Sequence, residues 1–259
     1  MEALIGALPE VLKAKQIDSL QAAKAALPGT GCYAESLEVI GDSLLLLARN
    51  ASTKYLVQVA ATKEALAAGD FEGEVEERNG VWLRKAPLNH ANANALRTAL
   101  PWTAPVSLRD RKTTIGFGDR MGRASAGHIR SIKYYQVAPV LAQQSIRELT
   151  LTKRTYPIVV DDATFMVFQE GYKLGYGADG DHLKTIADID VALAAGMPMI
   201  TLDLTEVLHP EAEHFSEAEV DAAFSKLPSD FQSHILATYA NKVMTIEDEE
   251  ITLPALEAK

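Results

Sequence analysis

One cysteine, Cys32, is all this chain has, so it can build neither an intrachain disulfide framework nor a thiolate metal cluster. That usage fits a reducing cytosol, and a cytoplasmic location is expected. Long apolar runs are missing too. The longest, around Leu44 to Ala48, is far below the roughly 20 residues a membrane helix requires. The N-terminus carries Glu2, Pro9 and Glu10 where a secretory leader would place basic residues and then an unbroken apolar stretch, so no signal peptide is expected. Positive charge is scarce: 25 Lys and Arg stand against 35 Asp and Glu, a formal charge of −10, with no basic tail. General binding to nucleic acid or to an anionic membrane surface needs a sustained positive field, and both are excluded as partners.

What remains is a chain of 259 residues, 47% hydrophobic, long enough for one large domain or two modest ones. The first part reads as α+β. Leu4 to Ala26 has helical spacing and stops at Pro28, Gly29 and Gly31; strands follow at Leu44–Ala48, Tyr55–Ala60, Gly73–Glu77 and Val81–Lys85, the last two joined through Asn79 and Gly80. A helix from about Asn89 to Leu100 and a linker containing Trp102 and Pro105 close this part. From Thr113 the rhythm becomes strand, loop, helix, with strands at Thr113–Gly118, Val137–Ala142, Leu174–Ala178 and Met197–Leu202. That alternation implies a parallel sheet, either a doubly wound layer or a barrel. A TIM barrel needs eight such units and about four fit here. Helices at Glu217–Lys226 and Asp230–Asn241 and a terminal hairpin, VMTIEDEEITL, add no further parallel strand. The expected class is α/β: a small α+β domain over 1–108 followed by parallel strand–helix units over 109–259, and if that sheet is a barrel this chain holds only its first half.

Two glycine-punctuated segments follow strands, where α/β proteins place their chemistry. The first is GFGDRMGRASAGHIR from Gly116. Between Arg109 and Lys133 seven basic residues face two acidic ones, a local balance of +5 that suits a small anion. Arg120 and Arg123 are the guanidinium candidates for a carboxylate, while an Asp119–Arg120 neighbourhood that only solvates the loop is the bland alternative. The second is GYGADGDHLKT from Gly175, where Asp179, Asp181, His182 and Lys184 crowd a strand end. Metal binding, proton transfer or anion binding stand there against an Asp-rich turn capping the helix near Thr185. Asp161 and Asp162 lie in a helix announced by Thr155 and Pro157. The two point about 100° apart, with Asp161 at the margin of the apolar stripe, and spacing alone favours a solvated face for the pair. Asp203 ends another strand, and HPEAEHF, with His209 and His214, has no recognised ligand spacing and reads as a loop.

Taken together, GFGDRMGRASAGHI, VAPVLAQQSIREL, DDATFMVFQEGY and GADGDHLKT, in this order over 113–205, resemble the tagaturonate/fructuronate epimerase family of bacterial hexuronate catabolism. The resemblance implies a metal-dependent barrel enzyme longer than this chain, an isomerase acting on a ketohexuronate as its small-molecule partner, and so makes 109–259 the first half of a TIM-like (β/α)8 barrel, apparently truncated. It makes Asp161 the acid/base carboxylate and Asp162 a ligand of a divalent metal of unspecified identity, and it places Ser125, Ile129 and Thr164 near the sugar. Arg120, His182 and Lys184 complete the expected substrate-binding set. The remaining metal ligands and the partner acid are expected outside this chain, so activity of the chain alone is not expected. The two ketouronates differ at a carbon β to the ketone, whose C–H that carbonyl does not acidify, so retro-aldol cleavage and rejoining is the expected chemistry. A metal-dependent sugar aldolase, and an inactive fragment or sugar-acid-binding module, are the alternatives. Nothing in the composition sets an oligomeric state.

Overall fold

The computed structural model describes residues 5–6, 17–27 and 29–259. It divides into two compact units, one ending at Asp203 and one comprising Leu204–Lys259. In the first unit helix α1 (Ile17–Ala25) precedes a five-stranded antiparallel sheet of β1 (Cys32–Ile40), β2 (Ser43–Arg49), β3 (Lys54–Ala60), β4 (Glu74–Arg78) and β5 (Val81–Pro87), in the order β1-β2-β3-β5-β4. The expected helix from Leu4 is borne out over Ile17–Ala25; residues 7–16 and Pro28 lie outside the described residues.

Strand β2 shows why this sheet holds. Leu44 to Leu47 are all fully buried. Successive side chains alternate faces, so Leu44 and Leu46 pack with Ala23 and Leu27 on one side, while Leu45 and Leu47 pack with Phe165 and Phe168 on the other. The β4–β5 turn at Asn79 and Gly80 uses positive φ at both residues, 52° and 77°, as a two-residue hairpin requires. Sequence reading missed β1. Its register slips between Tyr33 and Glu38, which breaks the alternation that would announce a strand.

Helix α2 (His90–Ala99), capped by the Asn89 side chain, ends before a 3-10 turn at Pro101–Thr103. The expected linker is not free: Trp102 packs against Phe168 with ring centroids 6.2 Å apart, and Thr103 is buried. Then come β6 (Thr114–Gly116), α3 (Ser125–Ile132), β7 (Ala138–Ser145), α4 (Ile146–Thr152), α5 (Tyr156–Gln169), β8 (Gly177–Leu183), α6 (Ile186–Ala194) and β9 (Met199–Leu202). The four strands pair in parallel in the order β6-β7-β8-β9. No strand order reverses, so this is a sheet wound in one direction, as in half a barrel, and not a doubly wound layer.

Helix α5 sits between the two sheets. Val159, Val160, Ala163 and Val167 join the parallel-sheet core, whereas Phe165, Met166 and Phe168 join the core beneath the antiparallel sheet. The boundary expected at 108/109 falls between the sheets in sequence, yet both lie in one compact unit because this helix packs on each. The second unit holds a 3-10 turn (Pro210–His214), α7 (Glu217–Phe224), α8 (Ser229–Thr238), the antiparallel hairpin of β10 (Lys242–Ile246) and β11 (Glu249–Leu253), and α9 (Ala255–Ala258).

Candidate active site

The loop between β6 and α3 is built around Asp119. Its carboxylate accepts the backbone N–H groups of Arg123, Ala124 and Ser125 and the Ser125 hydroxyl, each at 2.8 Å. Burial pushes this carboxyl up, but the hydrogen bonds from the Ser125 hydroxyl and the three amides outweigh it and leave it below its ordinary value. Asp119 is thus the cap of α3, not a solvating loop charge. Ser125 is buried with its hydroxyl committed to that cap. His128 stacks on Phe117 with centroids 4.7 Å apart.

Arg154, which sequence reading did not single out, ties this loop to the acidic pair. Its guanidinium donates to the carbonyls of Asp119 (3.2 Å) and Arg120 (2.9 Å), to Gln144 Oε1 (3.1 Å), and to Asp162 Oδ2. Gly122 faces the same carboxylate with φ +65°, and a Cβ there would lie 1.9 Å from Asp162 Oδ2. Only glycine allows this approach. Burial pushes the Asp162 carboxyl up to about 6, with Arg154 pulling the other way and Asp119 adding to the rise.

Asp161, one residue earlier on α5, turns toward α2. It is buried, and it accepts Arg97 Nη2 at 2.9 Å and meets His90 Nδ1 at 2.8 Å. His90 and Arg97 are seven residues apart, two helical turns, and so share one face of α2. Arg97 also donates to Thr164 Oγ1 at 2.9 Å, and Thr164 meets the Tyr176 hydroxyl at 3.3 Å. The solvated face favoured by spacing is therefore corrected for Asp161: α5 is covered on both sides, and its polar margin points into α2. Neither His90 nor Arg97 carried a local signal, since they lie 71 and 64 residues away in sequence.

A cleft of about 1010 Å³ opens at the C-terminal ends of β7, β8 and β9, and Arg120, His182 and Lys184 all line it. Arg120 is ion-paired to Glu148 there. His182 hydrogen-bonds Asp181 at 2.7 Å, and this contact raises the imidazole above its ordinary value. Lys184 Nζ lies 3.8 Å from Asp203. The segment read as a loop from Asp179 onward is the strand β8 itself, and the helix cap belongs to Thr185 with Asp188. Asp179 is buried and accepts Thr201 Oγ1 at 2.8 Å; burial, working against this bond, raises its carboxyl.

The expected residues thus fall into three neighbourhoods. Arg120, His182 and Lys184 share the cleft; Asp162 and Ser125 adjoin it through the Arg154 and Asp119 network; Asp161 and Thr164 lie on the α2 side of α5. Arg123 does not join Arg120. It lines a separate pocket beside Arg49 and Lys54, so of the two guanidinium candidates only Arg120 lies in the cleft. Among the described residues no group of three or more His, Cys, Asp or Glu side chains is arranged to hold a metal ion.

A family model described as tagaturonate epimerase matches residues 33–258. The tagaturonate/fructuronate epimerase of Thermotoga maritima is 40% identical over 163 residues, covering 62% of this chain and 33% of the relative. Among solved structures, a glycerol complex of fructuronate-tagaturonate epimerase UxaE from Cohnella laeviribosi superposes with a TM-score of 0.72 at 36% identity, over 94% of this chain and 48% of that one. Its native form gives 0.71 at 37% identity, over 92% and 48%. The chain spans a third to about half of the length of these relatives.

Proposed function

Because this chain belongs to the tagaturonate epimerase family, we propose that it supplies part of a site interconverting D-tagaturonate and D-fructuronate, with its four parallel strands as the first half of a (β/α)8 barrel. The observation that carries this reading is the pair on α5. Asp161 is clamped by Arg97 and His90, whereas its neighbour Asp162 is half-exposed and pushed up to about 6. Neighbouring carboxylates in such different environments can take different roles.

In the proposed reaction Asp161 takes the proton from the hydroxyl on the carbon β to the ketone. The bond between the α and β carbons then breaks, its electron pair passing to the ketone half as an enolate and leaving an aldehyde on the other fragment. Rotation of the aldehyde and re-addition invert that carbon, and Asp161 returns the proton. Arg120, His182 and Lys184 would hold the uronate carboxylate in the cleft while the fragment turns. Ser125 and Thr164 would shape the sugar site from behind, their hydroxyls being engaged with Asp119 and Arg97.

A divalent cation, implied by the resemblance, would be a Lewis acid for the ketone. The described residues do not make a complete site for it: Asp162 offers one ligand, and its Oδ2 is taken by Arg154. The steps above therefore use side chains of this chain alone. Metal dependence is proposed with Asp162 as one donor among several. The single cysteine supports a cytoplasmic location.

Proton NMR of D-fructuronate tests this reading, using a chimaera of this chain with the part of the Cohnella laeviribosi enzyme it does not cover. Appearance of D-tagaturonate, stopped by a chelator and restored by a divalent metal, is expected. Accumulation of free three-carbon products would instead favour an aldolase.

A further inference from the structure

A second pocket, of about 600 Å³, lies between the β1–β3 side of the antiparallel sheet and α3. Four cationic side chains line it, Arg49, Lys54, Arg123 and Arg130, and no carboxylate does. This concentration stands out in a chain whose formal charge is −10. Arg49 and Lys54 are direct cross-strand partners in β2 and β3, so two like charges face each other on one side of the sheet, an arrangement that costs stability when nothing lies between them.

Two of the four cations are held in place. Lys54 Nζ donates to Gln169 Oε1 at 2.5 Å, Gln169 Nε2 donates to Glu170 at 2.7 Å, and Arg130 grips Glu170 with two bonds of 2.7 Å. Glu170 satisfies Arg130. Arg49 and Arg123 form no ion pair with any described residue, and both are exposed. Burial, with Arg130 and Arg49 nearby, lowers the Lys54 ammonium despite the pull of Glu170, so the pocket is short of negative charge.

We propose that this pocket binds a phosphoryl group, carried either by free phosphate or by a phosphate ester. Even counting Glu170, the cluster keeps a surplus of three positive charges, more than a single carboxylate would neutralise and well matched to a phosphate dianion. Guanidinium forks from Arg49 and Arg123 suit its oxygens, and the volume accommodates a small ester. None of these residues belongs to the epimerase site proposed above, so the two readings stand or fall separately.

Equilibrium dialysis of radiolabelled inorganic phosphate at low ionic strength, with phenyl phosphate as competitor, provides the test. Saturable uptake is expected, weakened about tenfold or more in Arg49→Gln and in Arg123→Gln. Phosphate should also raise the thermal midpoint of the unsubstituted chain and not that of the variants; without phosphate the midpoint should be unchanged in Arg123→Gln, whose side chain is exposed, and slightly higher in Arg49→Gln, which removes the repulsion from Lys54. Competition by phenyl phosphate at much lower concentration than by phosphate would identify an ester as the source, and equal competition would identify the free ion. Failure of both anions to bind saturably, or binding unmoved by either substitution, overturns the proposal.

Discussion

Arg154 and Asp162 form an ion pair in which the arginine is the buried partner, its side chain 9% exposed against 37% for the carboxylate. The guanidinium also holds the carbonyls of Asp119 and Arg120 and the amide of Gln144, so it fixes the β6–α3 loop even without Asp162. Arg154→Met should therefore cost more stability than Asp162→Asn: about 3 kcal/mol for the first, against about 1 kcal/mol or less for the second. Urea denaturation of both variants checks the order, and equal losses would show that the carboxylate is the pair's only structural contribution.

Asp162 also sets a pH dependence. Its folded-state value, pushed up to about 6 chiefly by burial, lies above the ordinary 3.8, so folding favours the protonated form. That contribution is fully present below pH 3.8 and is lost as the pH rises through about 6. Because the group is partly exposed, the loss should be roughly 1 kcal/mol. The stability difference between the unsubstituted chain and Asp162→Asn, followed by urea melts from pH 4 to pH 7, should move against the unsubstituted chain over that window. A difference that stays flat, or moves the other way, would contradict this environment for Asp162.

Arg97 and Asp161 should be strongly coupled. Arg97→Met leaves a buried carboxylate with His90 as its remaining hydrogen-bonding partner and is expected to cost about 3 kcal/mol. With Asp161→Asn already in place the same change should cost roughly 1 to 2 kcal/mol less. A double-mutant cycle by thermal or chemical denaturation measures this, and strictly additive losses would mean that the pair is not a unit.

Much of this architecture was readable from local pattern. Strands β2 and β3 are short apolar runs and β5 alternates, β4 and β5 are joined by Asn79 and Gly80, and α5 begins where Thr155 and Pro157 signal it. Strand β1 was hidden by its bulge, and β8 began at Gly177, later than expected, because GADGDH reads as a turn while its backbone pairs with β7 and β9. The acidic pair was visible as residues, but not its setting. His90, Arg97 and Arg154 gain their importance from contacts that form only when α2, α5 and the β6–α3 loop come together. Likewise Arg120 and Arg123, three residues apart, diverge because the chain turns at Gly122 and at the start of α3.

The role given to Asp161 is tested most directly by kcat for D-fructuronate epimerisation in the chimaera described above, with Asp161 intact and as Asp161→Asn. The amide keeps the shape of the carboxylate but cannot accept the proton, so kcat should fall by about 10² to 10⁴ with the fold and metal content preserved. A variant that keeps most of its kcat would remove Asp161 from the chemistry and leave its contacts with Arg97 and His90 as structure alone.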